Sequence, residues 1–122
     1  MKKIISMFAV VALLVPALAS SAGKIAEAKT GKAIAERKIA DESTTFALGE
    51  QAYLWLKVEG AAGETLTVTW THGDQNFPVT LNVGGTPWRT WSSKRLHLAG
   101  DWTVTVTDTA GNKLNESKIT VK

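Results

Sequence analysis

The sequence predicts an all-β protein, an antiparallel immunoglobulin-like β-sandwich of about seven strands that follows an N-terminal signal peptide. Three observations support this. Short stretches alternate apolar and polar residues, turn-forming residues separate these stretches, and no stretch has a convincing helical period. A small barrel is the alternative arrangement for the same strands.

The clearest strand runs from Glu64 to His72. Leu66, Val68 and Trp70 share one side of it, and threonines occupy the other. The stretch from Trp102 to Val106 alternates in the same way. A period of two with threonine on the polar face is typical of a strand with one buried and one solvated face. We therefore expect Trp70 and Trp102 to anchor the core.

Five further strands are predicted, over 51–58, 77–83, 88–98, 113–121 and, as a short strand, 33–39. Pro78 lies inside the second of them. Proline cannot donate a ladder hydrogen bond, so this strand is predicted to lie at a sheet edge or to begin at the proline.

Residues 1–22 have the layout of a secretory signal peptide. Lys2 and Lys3 precede an apolar run that ends before Pro16, and small residues follow, with cleavage expected after Ala19 or Ala22. The predicted organisation is a signal peptide over 1–22, a flexible lead-in or first edge strand over 23–32, and the β-sandwich domain over 33–122. We expect a periplasmic or secreted bacterial protein with no stable membrane span after cleavage.

Charge and cysteine content exclude several classes of function. The 14 basic residues outnumber 11 acidic ones in the 122-residue chain, but removal of Lys2 and Lys3 leaves 12 against 11. So small an excess does not predict nucleic-acid binding. The chain has no cysteine, which excludes a lipid-anchored cysteine, a disulfide framework and a thiolate metal site.

The stretch from Gly84 to Val106 is the predicted functional surface. It holds three of the five tryptophans and a basic cluster. Strand parity predicts that Trp88 points inward, and that Arg89, Trp91 and Arg95 point outward. Tryptophan and arginine are enriched where binding energy concentrates, although an arginine that merely covers a tryptophan produces the same pattern.

A second aromatic pair, Tyr53 and Trp55, also points outward by parity. If its strand neighbours Trp91, the three rings form a flat platform that could stack against sugars or partner side chains. If a loop covers Tyr53 and Trp55, the two side chains form only a second small core. The predicted ligand-binding residues are Arg89, Trp91, Arg95, Trp55 and Tyr53.

The run from Val68 to Asn112 resembles the bacterial domain-of-unknown-function family 2914. The resemblance rests on Trp-x-His-Gly, Trp-Arg-Thr-Trp-Ser-Ser-Lys, Gly-x-Trp-x-Val-x-Val and Asp-x-x-Gly in that order, with a looser similarity back to about Lys32. It implies an extracytoplasmic β-domain without an assigned activity, and it supplies no catalytic residues.

No other motif predicts chemistry. His72 and Asp74 form an isolated His-x-Asp, read either as a turn histidine with a structural hydrogen bond or as part of a metal or proton site. Ser92 and Ser93 lack a nucleophile-elbow motif. We therefore predict no catalytic residue, no metal ligand and no cofactor.

Three functions remain open. The favoured one is a non-enzymatic binding module for a cell-envelope glycan or protein. The second is a structural or assembly domain that pairs through an exposed strand edge, and the third is a metal-binding or enzymatic domain around His72. The sequence does not define the oligomeric state.

Overall fold

The computed structural model describes residues 23–122, so the predicted signal peptide lies outside the described residues. These residues form nine strands and no helix. No helix of this part of the chain could therefore cross a membrane. The strands are β1 (Lys24–Ala35), β2 (Lys38–Glu42), β3 (Thr45–Phe46), β4 (Gln51–Glu59), β5 (Thr65–His72), β6 (Gln75–Asn82), β7 (Trp88–Arg95), β8 (Gly100–Thr107) and β9 (Lys113–Val121).

The strands form two sheets, which confirms the predicted all-β class. One sheet has the order β3-β9-β8-β5-β6 and the other the order β2-β1-β4-β7. Pairing is antiparallel except for the short parallel pair of β3 with β9. The strand number exceeds the predicted seven, because β3 has only two residues and the β1–β2 hairpin lacks a clear alternation.

One core contains residues from both sheets. Leu54 and Leu56 of β4 and Val68 and Trp70 of β5 are all fully buried. The Trp70 indole Nε1 donates a hydrogen bond of 3.0 Å to Oγ of Ser92 on β7, so one polar contact links the two sheets inside the core. Trp102 is also buried, which confirms both predicted core tryptophans.

Residues 23–32, expected to be a flexible lead-in or a first edge strand, instead form most of β1. This strand pairs with β4 on one side and with β2 on the other. Glu36 and Arg37 close the β1–β2 hairpin with φ values of 52° and 61°, the positive pair that a two-residue type I′ turn requires. The short strand predicted over 33–39 is wrong, because this turn at Glu36 and Arg37 divides these residues between β1 and β2. Charged residues and alanines dominate β1, so its sequence lacks the alternation that marks β5 and β8.

The turn between β8 and β9 is organised by the Asp108 carboxylate. Its Oδ1 accepts hydrogen bonds from the backbone N–H groups of Ala110 (3.0 Å) and Asn112 (2.8 Å). Burial raises the pKa of Asp108, but hydrogen bonds from the Asn112 side chain and from the turn backbone outweigh it and hold the pKa below its ordinary value.

Candidate functional site

The candidate site lies on the outer face of the four-stranded sheet, where β4 and β7 pair. Trp55 lies directly opposite Trp91, and Lys57 lies opposite Arg89. The pairing that would build an aromatic platform is therefore present. Trp88, on the other face of β7, packs against the core as its parity predicts.

The two paired tryptophans nevertheless differ in exposure. Trp91 is 36 % exposed, whereas Trp55 is 4 % exposed. The Trp55 indole Nε1 donates a hydrogen bond of 2.9 Å to the backbone carbonyl of Arg37, at the tip of the β1–β2 hairpin. Because this hairpin covers Trp55, the three rings do not form a flat exposed platform.

Gly31 allows the two strands of the β1–β2 hairpin to approach each other closely. A Cβ atom at this position would lie 2.7 Å from Cγ1 of Ile39 and 3.0 Å from the carbonyl oxygen of Ala40. Even an alanine here would therefore require the Ile39 side chain or the β2 backbone to shift. The missing side chain thus lets β2 pair closely with β1 in the hairpin whose tip contacts Trp55.

A depression of about 270 Å³ remains beside the covered tryptophan. Four of its lining side chains carry a positive charge and one carries a negative charge. The lining residues are Glu27, Lys29, Lys38, Ile39, Trp55, Lys57 and Arg89. Trp91 lies next to this wall, since it is the cross-strand partner of Trp55 and two positions from Arg89 on the same face.

The charges of the depression are not neutralised locally. Among residues 23–122, no carboxylate oxygen lies within 4.0 Å of the cationic nitrogens of Lys29, Lys38, Lys57 or Arg89. Glu27 lies opposite Lys57 in the β1–β4 ladder, but it forms no ion pair there. The depression therefore presents an excess of positive charge to solvent, which favours an anionic ligand.

Two of the predicted site residues lie apart from this depression. Tyr53 is half-buried and lies opposite Ser93. Arg95 is exposed at the far end of β7, where its Nη1 donates a hydrogen bond of 2.9 Å to the carbonyl of Gly49. Arg95 lies six positions after Arg89 along the strand, a distance of about 20 Å.

Sequence reasoning missed five residues of the depression, the apolar Ile39 of β2 and four charged residues. Lys57 shares its strand face with Tyr53 and Trp55, so parity was a signal for it. Glu27, Lys29 and Lys38 lie on the β1–β2 hairpin, whose position over Trp55 no local pattern indicates.

His72 is the last residue of β5 and lies away from the depression, in contacts that are typical of a structural role. Its Nε2 lies 2.8 Å from the carbonyl oxygen of Ala99, and its ring centroid lies 5.1 Å from that of Trp102. The second histidine, His97, also packs against Trp102, at 6.0 Å. Within the described residues, no three histidine or carboxylate side chains are grouped to hold a metal ion.

Residues 63–121 match the model of a family described as "Protein of unknown function (DUF2914)". The predicted resemblance is confirmed. The DUF2914 match spans β5 to β9 and therefore includes Arg89 and Trp91 on β7. It begins at residue 63, so Trp55 and the β1–β2 hairpin, together with the looser similarity back to Lys32, lie outside it.

No curated protein matches the sequence. Among solved structures, the chain is similar to the Pseudomonas fluorescens alkylpurine DNA glycosylase AlkC bound to DNA containing an abasic site analog, with a TM-score of 0.50 and 14 % sequence identity. The similarity covers 82 % of this chain, and the chain spans about 30 % of the glycosylase chain. At this identity the similarity concerns the fold alone.

Proposed function

We propose that the protein is an exported, non-enzymatic binding domain with an immunoglobulin-like arrangement of its two sheets, and that its ligand is an anionic glycan of the cell envelope. One observation carries the proposal. Lys29, Lys38, Lys57 and Arg89 surround a depression without ion-pair partners among the described residues, and the exposed Trp91 lies at its side.

The two parts of the surface suit the two parts of an acidic sugar. An indole offers a rigid apolar face with a polar edge, against which the C–H face of a sugar ring can pack. Arginine recognises a carboxylate or phosphate through two parallel N–H bonds, and lysines add positive charge around it. In this arrangement Trp91 would stack on the ring while Arg89 and the lysines bind its acidic group.

Two features support the export and the immunoglobulin-like arrangement. The basic, apolar and small-residue order of residues 1–22 is that of a secretory signal. The two sheets share one core, with buried residues at alternate positions of β4, β5 and β8, as expected for two face-to-face sheets. An envelope glycan is a ligand that an exported protein would meet.

The test is titration with oligogalacturonate, an acidic oligosaccharide, with neutral dextran of similar length as the uncharged probe. We expect binding of the acidic probe only, with affinity that falls at high salt because charges are screened over shorter distances. Loss of one charged contact in Arg89→Gln should weaken binding about tenfold, equivalent to about 1.4 kcal/mol.

Two further variants sharpen the test. Glu27→Gln removes the negative charge from the depression and should strengthen binding, whereas Trp91→Ala should weaken it. Lys118→Gln, an exposed lysine of β9 in the other sheet, is the matched control and should leave the affinity unchanged. Equal binding of the acidic probe by the Arg89→Gln, Trp91→Ala and Lys118→Gln proteins would refute the proposed site.

A purified sacculus preparation then tests the envelope assignment. The protein should be retained on sacculi, and oligogalacturonate should displace it. Retention of Trp91→Ala and Arg89→Gln at the level of the unmodified protein would contradict the proposal.

A further inference from the structure

The edge strands of the two sheets differ in how well they are protected against pairing. Four strands end the two sheets within residues 23–122, and three of them have a feature that limits strand addition. β3 is two residues long, β2 is five residues long and belongs to the folded-over hairpin, and β6 contains Pro78 in its interior. β3 and β2 leave parts of β9 and β1 unpaired, but β9 and β1 each carry a register shift, which also limits strand addition. Short edges and prolines are recognised means of preventing edge-to-edge association.

β7 has none of these features, and its protection against pairing with a second copy comes from its basic side chains, among them the inward-facing Lys94. It is eight residues long, contains neither proline nor glycine, and pairs only with β4. Its register with β4 is unbroken from Trp88 to Arg95, so it carries no bulge. In an antiparallel ladder alternate residues direct their N–H and C=O groups away from the partner, so about half of the β7 residues offer free backbone groups. This edge is a regular template about 27 Å long.

The charge of this edge selects among possible partners. β7 carries Arg89, Lys94 and Arg95 and no acidic residue. If two copies paired antiparallel through β7 about its centre, basic ends would face basic ends, and like charges on adjacent strands are destabilising. Residues 1–22 contain two lysines and no acid, so they do not complement the edge either.

We propose that the free edge of β7 binds an extended acidic segment of a partner protein by strand addition. Backbone hydrogen bonds to the free groups of β7 would hold the segment. Its acidic side chains at alternate positions would lie on the outer face beside Arg89 and Arg95, and the Trp91 ring between them would pack against the methylene groups of one of these side chains. This inference goes beyond glycan binding because it depends on the backbone edge of β7, while it shares Arg89 and Trp91 with the proposed glycan site.

The experiment uses the full chain and a synthetic peptide of five Val-Glu repeats. We expect the peptide to bind and to slow hydrogen exchange of backbone amides in β7, measured residue by residue by NMR, without slowing exchange in β6. A peptide with a central valine replaced by proline should bind about tenfold more weakly, since proline removes a ladder donor. A peptide of Val-Lys repeats should not bind.

Four results would overturn the inference. The first is no binding of the Val-Glu peptide. The second is equal binding of the proline-containing peptide, which would mean attraction by charge alone. The third is binding with protection of β6, or of no strand. The fourth is strong protection of the β7 edge before any peptide is added, in which case light scattering would show whether a second copy or the chain itself occupies the edge.

The peptide experiment also separates this inference from the proposed function. Oligogalacturonate binding reports on the depression and needs no slowing of exchange at the β7 edge, whereas the peptide must produce it. Failure of either probe therefore leaves the result of the other unchanged.

Discussion

Removal of the hydrogen bond between Trp70 and Ser92 is predicted to lower the unfolding free energy of the protein. The indole Nε1 and the serine Oγ lie 3.0 Å apart, and the side chains are 0 % and 3 % exposed. Ser92→Ala removes the acceptor and leaves a buried donor that water cannot reach. The neighbouring Ser93 is exposed on the opposite face of the same strand, so Ser93→Ala is a matched control.

The expected loss of unfolding free energy for Ser92→Ala is about 1–3 kcal/mol, the cost of an unsatisfied buried polar group. For a domain of this size each kcal/mol lowers the Tm by about 4–8 °C. Ser93→Ala should change the free energy by less than about 0.5 kcal/mol, as is usual for a surface substitution. Urea unfolding followed by far-UV circular dichroism measures the differences in unfolding free energy, and thermal unfolding measures the Tm.

A double-mutant cycle assigns the effect to the hydrogen bond. Trp70→Phe removes the donor, so Ser92→Ala in that background should cost much less than in the unmodified protein. The reasoning is refuted if Ser92→Ala costs no more than Ser93→Ala. It is also refuted if the cost of Ser92→Ala is the same with tryptophan or phenylalanine at position 70.

The remaining predictions concern the hairpin, the core and acid stability. Gly31→Ala should lower the unfolding free energy by about 1–3 kcal/mol, because its Cβ would lie 2.7 Å from a β2 side chain. Gly85→Ala is the control: its Cβ would have its nearest contact at 3.5 Å, so its unfolding free energy, measured in the same assay, should be nearly unchanged. Leu56→Ala, in the core, should lower the unfolding free energy by about 2–5 kcal/mol. Leu48→Ala, at a residue that is 57 % exposed, should lower it by less than about 0.5 kcal/mol. The lowered pKa of Asp108 means that its stabilising contribution is complete above the unfolded pKa of about 4 and is lost as the pH falls through the folded pKa. The unfolding free energy of Asp108→Asn should therefore vary less with pH below about 4 than that of the unmodified protein, and an equal pH dependence would contradict this assignment.

The parts of the fold that the sequence predicted are those in which one local pattern decides the structure. Alternation in β5 and β8 predicted which residues are buried, because a strand with one core face needs a period of two. Parity likewise predicted that Trp88 points inward and that Trp91 points outward. Pro78 was predicted to mark a sheet edge or a strand start, and the structure shows the first of these, since a central strand would lose a ladder hydrogen bond there.

Whether the Trp55 side chain is exposed or covered was left open, because this depends on a segment distant in sequence. Its outward direction follows from parity, but its burial follows from the hairpin tip at Arg37, eighteen residues away. That hairpin forms at Glu36 and Arg37 without the Asn-Gly signal usual for a two-residue turn. The close pairing of its two strands depends on the space left by Gly31, and a glycine in sequence does not tell which strand will approach it.

The position of the hairpin changes what the candidate surface can bind. With Trp55 exposed beside Trp91, stacking would dominate and a neutral sugar would suffice. With Trp55 covered, one exposed indole remains, while the hairpin adds Lys29 and Lys38 to the Lys57 and Arg89 already on the sheet. Each exposed charge pair contributes little alone, but several cations around one depression act together on an anion. The geometry therefore favours a ligand that is recognised first by its negative charge and only then by the shape of its ring.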